Sequence, residues 1–144
     1  MLRVVRSAII DAPVARVWEV LRDFNSHTEW HPAIAHSQIE GGEPSDRVGC
    51  VRSFVLRDGA RVREQLLTLS DRDWRMTYCI LEADVPLQRY VATVQLREVT
   101  DGARSFWQWT STFGAPPGRE AELTRLVGVD VYEAGMRGVA RLFS

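Results

Sequence analysis

The 144-residue sequence lacks a long hydrophobic run and lacks an excess of charge of either sign. No segment approaches membrane-spanning length, and the start reaches Asp11 without the apolar core and small-residue cleavage site of a signal peptide. Eighteen basic and nineteen acidic side chains leave a net charge of −1, with no block of like charge that could bind phosphates. We therefore expect no stable membrane insertion, no nucleic-acid partner and a cytoplasmic location.

Cysteine is scarce, and the familiar catalytic motifs are absent. Cys50 and Cys79 each lie in an apolar strand-like run, without a second cysteine or a histidine at metal-ligand spacing. The sequence contains no G-x-S-x-G elbow, phosphate-binding glycine loop, C-x-x-C pair or H-E-x-x-H element. We expect two reduced cysteines in the core, no metal site and no cofactor.

The composition that remains is typical of one globular domain. Hydrophobic residues make up 45% of the chain and charged residues 26%, and we find neither an internal repeat nor a linker-like stretch. A chain of this length can bury a substantial core. We predict one domain spanning residues 1–144.

The first part of the chain predicts a strand followed by a helix. Residues 2–10 are rich in Val and Ile, and Asp11-Ala12-Pro13 then supplies an acidic residue and a proline, which favour a helix start. An apolar stripe at helical spacing runs on towards Asp23 and consists of Val14, Val17, Trp18 and Leu21.

A second short helix and a series of hairpins are predicted next. Asn25 and Ser26 can cap this helix, and Pro32 must end it nearby. From residue 34 onward, β-prone runs alternate with turn residues such as Asp58-Gly59 and Asp101-Gly102, a pattern typical of consecutive hairpins. Six strands are predicted at residues 34–40, 48–56, 62–69, 75–81, 90–99 and 105–113.

The last segment predicts one long helix. Pro116-Pro117 opens it, and apolar or small residues then keep helical spacing at Leu123, Val127, Val131, Ala134, Gly138 and Leu142. The order of elements is one strand, two short helices, six strands and a long helix. It predicts an α+β fold in which the helices cover one face of a curved antiparallel sheet of seven strands.

Four segments of the sequence resemble the helix-grip superfamily. They are Ile9-Ile10-Asp11-Ala12-Pro13, Val17-Trp18-Glu19-Val20-Leu21, Trp30-His31-Pro32 and Val48-Gly49. This superfamily includes START lipid-transfer domains, pathogenesis-related plant proteins, abscisic-acid receptors and polyketide cyclases. Arg52, Arg63-Glu64, Tyr78 and Tyr90 look more specifically like its bacterial polyketide cyclase/dehydrase and lipid-transport branch. The resemblance covers essentially the whole chain and implies a sheet that grips the C-terminal helix around a cavity.

Strand alternation predicts which side chains face that helix. With hairpin turns at Asp58 and Asp71, Arg52 lies opposite Glu64 and Glu64 lies opposite Tyr78, which gives a polar row across three strands. The Asp101-Gly102 turn places Trp109 near Val94. The inner face is otherwise apolar, with Phe54, Leu56, Val62, Leu66, Met76, Ile80, Val94, Trp107, Trp109 and Phe113.

Arg52 and Glu64 are charged residues on a face that should be covered, so they require an explanation. They could form a buried ion pair, completed by the Tyr78 hydroxyl, that holds the strands in register. They could also form the polar floor of a pocket and orient a ligand carbonyl, hydroxyl or carboxylate. Both interpretations can hold together.

The predicted site combines this row with aromatic residues and one histidine. Trp30-His31-Pro32 should lie near one end of the cavity, so His31 is the best histidine candidate, ahead of His27 and His36. Gly128, Gly135 and Gly138 could leave room beside the sheet or allow close packing on its tryptophans. The predicted ligand-binding residues are Arg52, Glu64, Tyr78, Trp109, Phe54, Trp30 and His31, and the catalytic candidates are Glu64 and His31.

Three functions follow from this site. The first is binding or transport of a small hydrophobic or amphipathic molecule such as a lipid, polyketide or aromatic compound. The second is polyketide cyclisation, aromatisation or dehydration, with Glu64 or His31 moving a proton and Arg52 stabilising enolate charge. The third is a non-catalytic interaction module, in one form a homodimer, suggested by outward-facing apolar residues such as Phe106.

Overall fold

Seven antiparallel strands form one curved sheet in the computed structural model, which describes residues 1–144. The strand order is β1-β7-β6-β5-β4-β3-β2, so the last strand of the chain pairs with the first. The predicted α+β helix-grip architecture is confirmed. The strands are β1 (Leu2–Ile10), β2 (Ile34–Ile39), β3 (Val51–Leu56), β4 (Arg61–Ser70), β5 (Arg75–Ala83), β6 (Gln88–Glu98) and β7 (Ser105–Gly114).

Two short helices, α1 (Val14–Leu21) and α2 (His27–Trp30), connect β1 to β2. The four residues of the predicted stripe in α1 are all buried, which confirms that part of the prediction. The predicted cap of α2 is wrong, because the Ser26 hydroxyl donates to the Val20 carbonyl (2.7 Å) and accepts from Trp30 Nε1 (3.1 Å). The helix ends as expected before Pro32, and His31 is already extended.

The C-terminal helix, α3, changes its geometry in the middle. It consists of an α-helical part Glu120–Arg125, a π-helical segment Leu126–Glu133 and a second α-helical part Ala134–Leu142. A π-helix has more residues per turn than an α-helix, so the buried face moves by one position. Beyond Val127 the buried large residues are Tyr132, Met136 and Val139, whereas the predicted Leu142 is exposed.

The polar row of the sheet is only partly as predicted. Arg52 pairs with Glu64 across β3 and β4, and Val94 pairs with Trp109, as expected. Glu64, however, pairs with Ile80, and Tyr78 pairs with Leu66. A longer turn and the register irregularity between Leu66 and Thr68 displace the pairing by two residues. Because the displacement is even, Tyr78 keeps its predicted face.

The two cysteines and the outer face depart from the prediction in smaller ways. Both cysteines are free, but only Cys50 is buried; Cys79 is half-buried and pairs with Gln65 on the outer face. Phe106 is half-buried. No helix is both long and apolar enough to cross a membrane.

Glycines in α3 serve close packing. A Cβ at Gly138 would overlap the Trp30 carbonyl oxygen, and one at Gly135 would lie about 3 Å from the rings of Trp30, His31 and Trp109. The cavity-forming interpretation of these glycines is therefore not supported. Gly138 instead lets the backbone at the end of α2 pack directly on α3.

We predict that Gly138→Ala destabilises the protein by more than about 3 kcal/mol, since a backbone carbonyl cannot move aside without shifting α2. The measurement is urea unfolding. Gly128→Ala is the matched control, because its Cβ would meet only the end of the Arg6 side chain, at 2.5 Å. Equal losses of stability in the two variants would contradict the packing role assigned to Gly138.

Candidate functional site

A cavity of about 360 Å³ lies between the inner face of the sheet, α2 and the π-helical segment of α3. Of its 23 lining residues, 16 are hydrophobic. The lining includes every residue that the sequence placed in the site: Trp30, His31, Arg52, Phe54, Glu64, Tyr78 and Trp109. The contribution of α3 comes entirely from its π-helical segment, through Leu126, Val127, Asp130 and Val131.

Arg52 and Glu64 form a buried ion pair at the polar end of this cavity. Their relative exposures are 7% and 6%. Arg52 Nε donates to Glu64 Oε1 at 2.9 Å, and Arg52 Nη2 makes an ion-pair contact of 2.7 Å with the same oxygen. Its Nη1 donates to the Phe24 carbonyl at 2.7 Å. The pair thus joins β3, β4 and the connection between α1 and α2.

Aromatic rings surround the guanidinium group. Its central carbon lies 3.9 Å from the ring centroid of Phe24, 5.1 Å from that of Tyr78 and 5.7 Å from that of Phe54. The faces of these rings attract a cation where water is excluded. Arg52 is therefore held by both its hydrogen bonds and its neighbouring rings.

One carboxylate oxygen of Glu64, Oε2, is not bonded by Arg52. Oε2 has no hydrogen-bond partner in the protein, yet it is not among the enclosed unpartnered atoms, which are Trp107 Nε1 and Ser111 Oγ. Burial raises the pKa of Glu64, and the charge and hydrogen bonds of Arg52 oppose that rise. This geometry suits an acceptor of a hydrogen bond or of a proton.

Tyr78 does not complete the ion pair, contrary to the sequence interpretation. Its hydroxyl accepts from Trp109 Nε1 at 3.0 Å, and its ring covers the guanidinium instead. The two-residue displacement of the β4–β5 pairing removes Tyr78 from the position opposite Glu64. Burial raises the pKa of Tyr78, so its hydroxyl stays protonated at neutral pH.

The sequence analysis assigned no site role to Tyr90 and missed Tyr132, both of which support Trp109. The Tyr132 ring stacks on Trp109 with centroids 4.2 Å apart, and its hydroxyl bonds that of Tyr90. Burial raises the pKa of both tyrosines. A helical pattern of period 3.6 could not find Tyr132, because the π-helical segment changes the phase.

His31 lines the cavity but has no free ring nitrogen. Nε2 lies 2.8 Å from the Val131 carbonyl, which can only accept, so Nε2 carries the proton. Nδ1 accepts from the Ala33 backbone N–H at 3.1 Å. Burial lowers the pKa of His31, while the bond to Val131 opposes this change. These contacts are those of a positioning residue and do not support its candidacy for proton transfer.

His27, which the sequence ranked below His31, lines the cavity and has one ring nitrogen, Nδ1, without a hydrogen-bond partner in the protein. It is 3% exposed, and its ring packs edge-on against Phe54 with centroids 4.7 Å apart. Nε2 lies 2.7 Å from Ser37 Oγ, which in turn donates to Asn25 Oδ1 at 2.7 Å. Burial and the charge of Arg52 hold the pKa of His27 well below its ordinary value.

The remaining polar lining residues are exposed at the cavity opening. Arg57 and Asp58 come from the β3–β4 turn, and Asp130 comes from α3. Arg57 Nε donates to the Pro32 carbonyl at 2.6 Å, which joins the β3–β4 turn to the end of α2. Val85 and Leu87 complete this side with apolar surface from the β5–β6 loop.

Comparison with known proteins identifies the family of this chain. The family described as polyketide cyclase/dehydrase and lipid transport matches the sequence over residues 1–144. The chain belongs to this family. The resemblance noted in the sequence is thereby confirmed, and membership indicates a domain that binds a hydrophobic ligand. No curated protein matches the chain.

Solved structures similar to this family member agree with the fold. An uncharacterised protein from Bacillus thuringiensis has a TM-score of 0.86 and 29% identity, over 99% of this chain and 98% of that one. The protein XoxI from Bacillus cereus has a TM-score of 0.88 and 28% identity, over 99% and 96% of the two chains. A START superfamily protein from Mycobacterium smegmatis, at 11% identity and a TM-score of 0.79 over 98% and 96%, shares the fold.

We predict that removing one partner of the buried pair in this polyketide cyclase/dehydrase family member, as in Arg52→Met or Glu64→Leu, costs about 3–5 kcal/mol of unfolding free energy. The double variant should cost less than the two single losses combined, because no uncompensated charge stays buried. Urea unfolding measures all three. The exposed pair Arg119–Glu122 is the control and should have little effect. Fully additive losses at Arg52 and Glu64 would contradict the pairing.

We also predict that the protein loses stability as the pH falls below about 6.5, the ordinary pKa of histidine. Below this pH both histidines take up protons in the unfolded chain, whereas in the folded protein His27 and His31 are buried and their lowered pKa keeps them neutral. Each histidine therefore lowers the free energy of unfolding by up to about 1.4 kcal/mol per pH unit. His27→Gln should flatten the decline between about pH 6.5 and 5, measured by unfolding at several pH values. Exposed His36→Gln is the control. The raised pKa of Glu64 has the opposite effect on stability as the pH falls, but Glu64 is present in every variant and so does not affect the comparison. An unchanged slope in His27→Gln would refute this assignment.

Proposed function

We propose that the protein binds, and in that way carries, a small hydrophobic or amphipathic molecule such as a lipid, polyketide or aromatic compound. The observation that carries this proposal is a mostly apolar cavity of about 360 Å³ whose lining contains one buried ion pair, Arg52–Glu64. Small-molecule sites are typically concave and apolar, with a few polar groups that fix orientation.

The apolar walls account for affinity in this proposal. Leu56, Val62 and Ile80 line the cavity from three strands, and Val85 and Leu87 line it from the β5–β6 loop. Removing apolar surface from water contributes roughly 25 cal/mol per Å². The volume lies near the lower end of the 300–1,000 Å³ that is usual for ligand pockets. A compact ring system or a single acyl chain therefore fits this proposal better than a two-chain lipid.

A second candidate function is proton transfer in cyclisation or dehydration of a polyketide. The observation that favours it is the cavity-facing oxygen of Glu64, whose pKa is raised by burial and which could act as a general base. Arg52 would then offer positive charge to a developing enolate. His31 takes no part in this scheme, because both of its ring nitrogens are engaged.

We predict that Ile80→Trp abolishes ligand retention by filling the cavity, whereas Leu81→Trp preserves it. The two residues are neighbours on β5, but Ile80 lines the cavity and Leu81 is exposed. Native mass spectrometry of the purified proteins measures retention, both of co-purifying molecules and of hydrophobic compounds added after extraction with organic solvent.

Loss in Ile80→Trp alone supports the internal cavity as the binding site. Retention by both variants, or no binding to the wild-type protein, would contradict the proposal. The same spectra separate the two functions, because a carrier returns each compound with its mass unchanged. An enzyme that cyclises and dehydrates a polyketide releases water and a product that is lighter by the mass of that water, and Glu64→Gln would stop that conversion.

A further inference from the structure

Two buried hydrogen-bond acceptors face the cavity without a partner. The first is Glu64 Oε2, since the hydrogen bond from Arg52 Nε and the short ion-pair contact from Arg52 Nη2 are both made to Oε1. This atom is unbonded within the protein but is not sealed from the cavity space. The ion pair with Arg52 favours the ionised form of Glu64, because neutralising the carboxylate would leave an uncompensated cation in the core.

The second acceptor is His27 Nδ1. Ser37 Oγ has a single proton and gives it to Asn25 Oδ1, so Ser37 can only accept from His27. The proton of His27 therefore lies on Nε2, and Nδ1 carries a lone pair. Nδ1 has no partner in the protein and is not enclosed, and His27 lines the cavity.

The ring N–H donors of the histidine and tryptophans that line the cavity beside these acceptors are already in use. His31 Nε2 donates to Val131, Trp30 Nε1 to Ser26, and Trp109 Nε1 to Tyr78. Arg52 uses two of its five N–H groups in hydrogen bonds, to Glu64 and to the Phe24 carbonyl. A ligand that offers only acceptors can use the Tyr78 hydroxyl and the remaining N–H groups of Arg52, but it leaves Glu64 Oε2 and His27 Nδ1 unpaired, whereas a ligand that offers a donor pairs with one of them.

The charges of the lining also disfavour an anion. Two arginines, Arg52 and Arg57, stand against three carboxylates, Asp58, Glu64 and Asp130. The only buried cation is already paired with Glu64. A ligand carboxylate would lose its water and approach Glu64 without gaining a cation of its own.

From these contacts we propose that the cavity selects neutral molecules with a hydroxyl group, alcohols or phenols, which donate to Glu64 Oε2 or His27 Nδ1, and that it rejects the matching carboxylates. This inference rests on the proposed function and specifies its ligand class. A buried acceptor left unpaired is costly, so a site of this kind discriminates strongly against analogues that lack the donor.

The test is isothermal titration of the wild-type protein with two matched series. One consists of 2-naphthol, 2-methoxynaphthalene and 2-naphthoate, and the other of 1-decanol, decyl methyl ether and decanoate. In at least one series we expect the hydroxyl compound to bind about tenfold or more tightly than both its ether and its carboxylate. Equal or tighter binding of the ether or carboxylate in the series that binds would overturn this inference and leave the proposed function intact. Absence of binding by all six compounds would overturn both.

Nitrogen-15 NMR of the histidine rings tests the same inference without any substitution. We expect His27 to be neutral and protonated on Nε2, and a proton on Nδ1 would overturn its role as an acceptor.

His27→Phe should reduce the preference for the hydroxyl compound over its ether by at least about threefold. His36→Phe, at an exposed position outside the cavity, should leave the preference unchanged. An unchanged preference in His27→Phe would count against His27.

Discussion

The guanidinium group of Arg52 joins three parts of the chain that are distant in the sequence. It binds Glu64 on the neighbouring strand and the Phe24 carbonyl in the connection between α1 and α2. Burying two charges is costly unless each is well bonded, and here the rings of Phe24 and Tyr78 add further contacts. The position of α2 depends on this anchor, and with it the positions of His27 and Trp30 in the cavity.

The opposite wall depends on the π-helical segment of α3. All four residues that α3 contributes to the cavity belong to this segment, and the Val131 carbonyl within it accepts from His31. The same change of phase turns Tyr132 inward, where it stacks on Trp109. A regular α-helix would present different side chains to the sheet. The shape of the cavity is therefore tied to an irregularity of the backbone.

Sequence reasoning predicted the fold and the cavity face because both follow from simple periodicity. Strand alternation placed Arg52, Glu64 and Tyr78 on one face, and it survived a pairing displaced by two residues because the displacement is even. The hydrogen bonds of these residues could not be predicted, since they depend on register irregularities and on a longer turn. Tyr132 was missed because no regular spacing of apolar residues predicts a π-helical segment.

The histidines show a further limit. His31 seemed the better candidate from its place beside Trp30 and Pro32, yet its two nitrogens are taken up by backbone groups. His27 faces the cavity through contacts with Ser37 and Asn25, which come together only when β2 folds back beside α2. Composition and spacing identify residue types near a site, whereas the partner of each ring nitrogen is decided by tertiary structure.

The aromatic lining also gives the protein optical properties. Of its five tryptophans, Trp30 and Trp109 border the cavity, and Trp109 lies stacked between Trp107 and Tyr132. Indole emission responds to the polarity and mobility of whatever touches the ring. Trp18 and Trp74 lie outside the lining and provide a background that occupancy does not change. The intrinsic fluorescence of the protein therefore contains a built-in reporter of whether the cavity is filled with water or with another molecule.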